Sequence, residues 1–316
     1  MKIVFLDAAT MGEVSFAPIE RLGSLICYDS STPEEALVRV SDCDVLIVNK
    51  VKVTPELIDA ASNLKLICES ATGVNNIDID YAAKKGIPVR NAVGYSTTTV
   101  VQATFMHILS LVGHAPYYDS VVKDGTYSSS GMFTDVTVNW WELAGKTIGI
   151  FGFGRIGRAV AERAKAFGMN VIAYTPRLYG NEPDFVKFVT LDEMLKTADA
   201  ISMHCPLTPE TEGLVNEEFI AKMKDGAYFI NTSRGTVVNE KALADALNSG
   251  KLGGAGLDVL SCEPPKADNP LLSAKNCFIT PHIAWAAFET RERLVGILEE
   301  NIKAFISGKP QNVINS

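Results

Sequence analysis

The sequence is short of several things, and each shortage removes a class of protein. No apolar run approaches the ~18 consecutive residues needed to cross a bilayer, and Met1-Lys2 leads straight into IVFLD, too brief for the apolar stretch of a secretion signal. These features argue against a membrane protein or a secreted one, and the expected location is cytoplasmic. The six cysteines, Cys27, Cys43, Cys68, Cys205, Cys262 and Cys277, are scattered with no C-x-x-C pair. That spacing fits reduced, mostly buried thiols and provides neither a disulfide framework nor a zinc site. Met203-His204-Cys205 lacks partner ligands at usable spacing, so no metal is expected. Excess positive charge is also missing: with 29 Lys and Arg against 37 Asp and Glu, the net charge of −8 argues against a general nucleic-acid or membrane-surface binder and points to a small-molecule partner. There are no repeats and no low-complexity segments.

What remains is 316 residues, 47% hydrophobic, enough for two domains. Short β-branched runs alternate with amphipathic stretches from end to end, which is the pattern of parallel sheets covered by helices, an α/β protein. Strands are predicted at Ile3–Leu6, Leu25–Tyr28, Val45–Val48, Leu66–Cys68 and Pro88–Arg90. A long apolar helix follows over Thr97–Val122, and then a Ser/Gly-rich loop. Six more strands are expected at Thr147–Phe151, Asn170–Tyr174, Ala200–His204, Ala227–Asn231, Ala255–Val259 and Phe278–Thr280, enough for a full doubly wound dinucleotide fold. Thr54-Pro55-Glu56 reads as a helix start and Gly86 as a helix stop. The helical run Phe288–Phe305 has no sheet left to join and is expected to cross back onto the first domain.

Gly152-Phe153-Gly154-Arg155-Ile156-Gly157 lies between an apolar strand and a helical run. In that context Gly152 permits the turn, Gly154 lets a pyrophosphate approach the backbone, and Gly157 allows close helix packing. The amides at Arg155 and Ile156 then face the phosphates. The acid expected ~20 residues on, which would bond a ribose 2′-OH and repel a 2′-phosphate, is replaced by Thr175. Arg177, two residues later, suits a 2′-phosphate, although an ordinary solvated arginine reads the same way. The expectation is dual use of NAD and NADP with a slight lean to NAD.

Three more stretches fall at predicted C-terminal strand ends, where such sheets bind ligands: INTSRG, GLDVLSCEPP and TPHIAWA. Together with GFGRIG, their order and spacing resemble the D-isomer-specific 2-hydroxyacid dehydrogenases over the whole chain. The resemblance implies two doubly wound parallel-sheet domains, with a Rossmann dinucleotide-binding domain (99–282) inserted into a discontinuous flavodoxin-like substrate domain (1–98 and 283–316). It further implies that Arg234 anchors the substrate, Glu263 orients the histidine, and His282 is the proton donor. The chemistry asks for the same residue types: an alkoxide formed by hydride delivery needs a proton, which histidine, titrating at about 6.5 in general, can give near neutrality. A neighbouring carboxylate favours an imidazolium and fixes the ring, and arginine's planar fork matches a carboxylate. Taken alone each has an ordinary surface or structural reading; together they are hard to explain otherwise.

The resemblance also implies that Gly73 and Val74 present amides to the substrate carboxylate, unless they only start a helix, and that Asp258 contacts the nicotinamide carboxamide, unless it only caps a strand. His204, Pro206 and Thr211 would line the adenosine side, and Thr232 would touch the cofactor. Ala284-Trp285 and Gly94–Thr97 look like the glycerate dehydrogenase (hydroxypyruvate reductase) branch, with Trp285 walling the pocket and Lys50 reaching a polar substrate tail; either could equally be a packing residue. Hydroxypyruvate or glyoxylate is expected as substrate, with pyruvate, as in D-lactate dehydrogenases, second. A non-enzymatic dinucleotide-sensing scaffold is the rival from another class, and a methyltransferase would leave Arg234, Glu263 and His282 unexplained. The resemblance implies a homodimer through the dinucleotide-binding domain.

Overall fold

The computed structural model describes residues 1–178 and 180–315. The chain divides into two compact units, one formed by Met1–Ser96 with Ala286–Ser316 and the other by Thr97–Trp285.

The first unit holds a five-stranded all-parallel sheet of β1 (Lys2–Phe5), β2 (Ser24–Cys27), β3 (Val45–Val48), β4 (Leu66–Glu69) and β5 (Val89–Arg90) in the order β2-β1-β3-β4-β5. This is the flavodoxin-like winding. β3 and β4 are buried along their whole length, as strands covered on both faces must be. Leu46, Val48 and Ile67 join Val4, Leu6 and Val89 in one core. Thr54 accepts from the Leu57 amide at 3.3 Å and caps its helix as expected. The C-terminal helix Phe288–Ile306 packs against β4 in this unit.

The second unit has a seven-stranded parallel sheet: β6 (Thr147–Phe151), β7 (Asn170–Tyr174), β8 (Val186–Phe188), β9 (Ala200–Met203), β10 (Ala227–Asn231), β11 (Leu252–Leu257) and β12 (Cys277–Ile279). Their order is β12-β11-β10-β9-β6-β7-β8. The winding reverses between β6 and β9, the crevice where ligands of such sheets bind. Six strands were expected here; β8 is the seventh, a three-residue edge strand whose VKF sequence is too short to carry a period. The expected strand Ala255–Val259 begins earlier, at Leu252, because Gly253 and Gly254 take part in it.

The helix expected over Thr97–Val122 is two helices, α1 (Thr97–Val112) and Ala115–Lys123. Between them His114 takes φ +48°. Pro116 gives the reason: a proline inside one continuous helix would remove a hydrogen bond and clash with the preceding turn, whereas at the start of a new helix its missing N–H costs nothing. Helix α2 (Arg155–Ala166) follows β6 directly.

Candidate active site

The glycine loop sits at the reversal of the second sheet. Gly152 has φ +94°, and a side chain there would meet the His204 carbonyl oxygen at 2.7 Å. A β-carbon on Gly157 would lie 2.1 Å from the Gly152 oxygen, so α2 can pack this tightly only on glycine. At Gly154 a β-carbon would meet nothing within 4 Å. The three glycines therefore differ: two are fixed by the protein's own packing, and the third opens outward. Gly154 is the N-cap of α2 and offers no side-chain cap, and the first turn carries no acid. The amides of Arg155 and Ile156 are consequently left for an anion. This cradle fits a dinucleotide pyrophosphate.

Beyond β7, Thr175 is half-buried and its hydroxyl donates to the Arg177 carbonyl at 3.3 Å. Arg177 is exposed. On α2, Arg158 binds the same loop through the Asn181 carbonyl (2.7 Å) and side-chain oxygen (3.0 Å). His204, at the end of β9, lies 2.8 Å from the Ser202 hydroxyl through Nε2, and burial holds its imidazole down at about 4, so it is neutral at pH 7. Thr211 donates to the Pro206 carbonyl at 2.8 Å and accepts from the Thr208 amide, bracing this loop from within.

The turn after β10 is shaped by Asn231. Its Oδ1 accepts from the amide (2.9 Å) and hydroxyl (2.7 Å) of Ser233, and its Nδ2 donates to the Arg234 carbonyl at 2.9 Å. The half-buried Arg234 guanidinium donates to the Ser233 carbonyl at 2.8 Å. Thr232 meets Thr104 of α1 at 3.2 Å; since Thr104 already donates to the Val100 carbonyl, Thr232 is the donor. The next residue, Gly235, touches the backbone of Leu260, which ties the Arg234 turn to the loop after β11.

In that loop Glu263 has both oxygens occupied. Oε1 accepts from the Leu260 amide at 3.0 Å, and Oε2 lies 2.7 Å from Nδ1 of His282. A carboxylate only accepts, so Nδ1 carries hydrogen and Nε2 is the nitrogen left to exchange protons.

His282 itself has φ +54°, a left-handed conformation that a side-chain-bearing residue seldom adopts. Asp258 holds it there. The Asp258 carbonyl accepts from the His282 amide at 2.8 Å, and its carboxylate accepts from Thr280 (2.6 Å) and Ile283 (2.8 Å) on Oδ1 and from Ala284 (2.8 Å) on Oδ2. Asp258 is almost fully buried, and burial raises its pKa against these bonds. Asp258 thereby fastens the loop that carries His282. Ala284 packs against Val100 and Ala103 of α1. Trp285 is half-buried at the end of the same loop.

In the first unit, the Asp7 carboxylate gathers the amides of Asn49, Lys50 and Val51 at 2.6–3.2 Å, while Lys50 is exposed. The segment after β4 is fastened by Ser70 and Thr72 to the Val48 and Ala92 carbonyls, and by Asn76, which bonds the Val51 carbonyl and Glu69. Among the described residues, no acceptor meets the amides of Gly73 and Val74.

Fold and site together define a dinucleotide-binding protein with a carboxylate–imidazole pair at the ends of its parallel strands. Residues 105–284 match the family described as D-isomer specific 2-hydroxyacid dehydrogenase, NAD binding domain. The chain is 44% identical to the hydroxypyruvate reductase of Blautia hydrogenotrophica, with 100% of both chains covered. It is 37% identical to the glycerate dehydrogenase of Methylorubrum extorquens, over 100% of this chain and 99% of that one. Among solved structures, an acyclic imino acid reductase in complex with NADPH and D-Arg matches with a TM-score of 0.89 at 32% identity, over 99% of this chain and 100% of that one. The chain belongs to the D-isomer-specific 2-hydroxyacid dehydrogenase family. It is thus an oxidoreductase of 2-keto and 2-hydroxy acids that uses a nicotinamide cofactor.

Proposed function

We propose that this protein reduces hydroxypyruvate or glyoxylate to the corresponding 2-hydroxy acid, accepting both NADH and NADPH. The observation that carries the reading is the His282–Glu263 pair at 2.7 Å, with the second Glu263 oxygen held by the Leu260 amide. When bound, the reduced nicotinamide supplies the hydride to the keto carbon. His282 gives the proton to the carbonyl oxygen from Nε2, and Glu263 keeps the ring in the orientation and tautomer that allow it. Arg234 engages the substrate carboxylate and carbonyl with its fork, which a lysine could not imitate. In the first unit the open amides of Gly73 and Val74 suit a carboxylate and Lys50 a hydroxylated tail; in the second, Trp285 suits the wall of a small pocket. The names of the relatives support this substrate range.

The cofactor would rest on Gly152, Gly154, Gly157 and the amides of Arg155 and Ile156, with Thr232 and Asp258 toward the nicotinamide and His204, Pro206 and Thr211 toward the adenosine. Thr175 provides no carboxylate to repel a 2′-phosphate, and Arg177 is exposed beside it. We infer the first unit to be the substrate domain and the second the dinucleotide-binding domain. A homodimer through the second unit accounts for its exposed apolar side chains, among them Met106, Leu109, Phe133 (88% exposed), Val136 and Trp140. The six free thiols suit a reducing, cytoplasmic setting.

The test is oxidation of NADH and of NADPH, followed by absorbance, with hydroxypyruvate, glyoxylate, pyruvate and 2-oxoglutarate. Turnover of hydroxypyruvate or glyoxylate with kcat/KM above that of the other two acids is expected. A preference for pyruvate by tenfold or more would replace the substrate assignment.

A further inference from the structure

Behind the loop that carries His282 stands a second histidine. His107 lies at the middle of α1, fully buried, with Nε2 3.1 Å from the Thr280 hydroxyl. Thr280 in turn is 2.6 Å from Oδ1 of Asp258. The His107 ring is held edge-on by Phe278, at 5.2 Å between centroids. The approach is possible because residue 256 is glycine: a β-carbon there would come within 2.6 Å of the His107 β-carbon.

The direction of the hydrogen bonds follows from proton counting. Thr280 has one hydroxyl proton, and Oδ1 of Asp258, already receiving the Ile283 amide, is an acceptor. The proton goes to Asp258. The Thr280 oxygen must then accept from His107, so Nε2 carries hydrogen and Nδ1 is bare. Nδ1 has no partner among the described residues. The reverse direction would place hydrogen on Nδ1 and leave a buried N–H without an acceptor, which folded proteins rarely tolerate. Burial brings the His107 imidazole down to about 4, with no ionised group opposing it, which agrees with a neutral donor at pH 7.

We propose that His107 is a positioning residue for the reduction: its Nε2–H compels Thr280 to donate to Asp258, and Asp258 so held keeps His282 in its left-handed backbone conformation. The idea rests on the function proposed above, because the positional gain is realised only if His282 is the proton donor. His107 touches neither substrate nor cofactor in this role.

Two measurements test it. The first needs no activity: nitrogen-15 and carbon-13 NMR of the four histidines should show one ring, assigned by its loss in His107→Gln, as a neutral Nε2–H tautomer throughout pH 6–8. An Nδ1–H tautomer, or an imidazolium in that range, overturns the proposal even if the enzyme's substrate has been misassigned. The second is kinetic. His107→Leu should lower kcat by about five- to tenfold, the scale of one neutral hydrogen bond, with KM for NADH within twofold of wild type. His107→Gln, whose amide can place an N–H where Nε2 was, should recover most of that loss, and His107→Leu combined with Thr280→Val should be no slower than Thr280→Val alone. Equal losses in the Leu and Gln variants, or full additivity with Thr280→Val, would reduce His107 to a packing residue. Wild-type protein inactive on every keto acid would refute the proposed function instead, leaving the tautomer to decide this one.

Discussion

Gly235→Ala is the sharpest perturbation the structure offers, because the added methyl would strike backbone rather than a movable side chain. Its β-carbon would lie 1.9 Å from the Leu260 carbonyl carbon, 2.0 Å from its oxygen and 2.5 Å from the Ser261 nitrogen. Leu260 belongs to the buried core and cannot swing outward. Restoring an ordinary carbon contact requires the two backbones to part by about 1.5 Å, and each carries part of the site: Arg234 directly precedes Gly235, and the Leu260 amide holds Glu263 at 3.0 Å. A displacement of that size away from the productive geometry costs roughly 100-fold in rate. The same overpacking destabilises by about 1–3 kcal/mol, which for a unit of this size lowers Tm by roughly 2–4 °C per kcal/mol. The expected result is a folded protein by circular dichroism at 25 °C, with kcat/KM for hydroxypyruvate down about 100-fold. Gly250→Ala is the control: at φ +79° with nothing within 4 Å, it should cost about 1–2 kcal/mol and leave turnover intact. If Gly235→Ala retains kcat/KM within threefold of wild type, the contact between the two loops does not position the site.

His282→Gln should slow reduction by ~10²–10⁴-fold, the range for a lost general acid, with cofactor affinity by fluorescence titration nearly unchanged; wild-type turnover would remove His282 from the chemistry. Thr175→Asp should lower kcat/KM for NADPH by ~10-fold, about 1.4 kcal/mol, and spare NADH, and equal treatment of both cofactors would show that position 175 does not discriminate. Glu69, fully buried beside Asn76, has its carboxyl pushed up to about 9 by burial, so the folded chain keeps a proton that the unfolded chain loses above its ordinary value near 4.5. Its contribution to stability is therefore present below pH ~4.5 and falls on the order of 1.4 kcal/mol per pH unit as pH rises toward 9. Chemical denaturation of wild type and Glu69→Gln from pH 6 to 8.5 should show a shallower decline in the variant, and parallel profiles would refute the shift.

Most of the fold could be read from the sequence wherever a strand was apolar enough to announce itself, as with VLIV at β3 and LIC at β4. The exceptions share a cause. β8 is three residues at a sheet edge, and LGGAGL looks unlike a strand because its glycines are demanded by neighbours, Gly253 by the Gly226 carbonyl and Gly256 by His107. The break before Ala115 was written in Pro116, whose meaning was hidden by the apolar run around it. In the site, GFGRIG and TPHIAWA speak through local spacing and could be located directly. The roles of Gly235 and Asp258 arise between loops separated in sequence, and no local pattern encodes them. His107 gave a faint signal, an imidazole inside an apolar helix, that sequence reasoning passed over.

The anchoring of residues 280–284 has a further consequence. Because Asp258 takes up the amides of His282, Ile283 and Ala284 through its own carbonyl and carboxylate, the conformational entropy of this segment is lost once, during folding, and not again at each encounter with substrate. In the role proposed for His282, the imidazole would meet every substrate already aimed, and ordering of its own segment would add no slow step to turnover. Loosening this segment would make its reordering a recurring event, visible as a rate that depends on solvent viscosity where the native enzyme's chemical step does not.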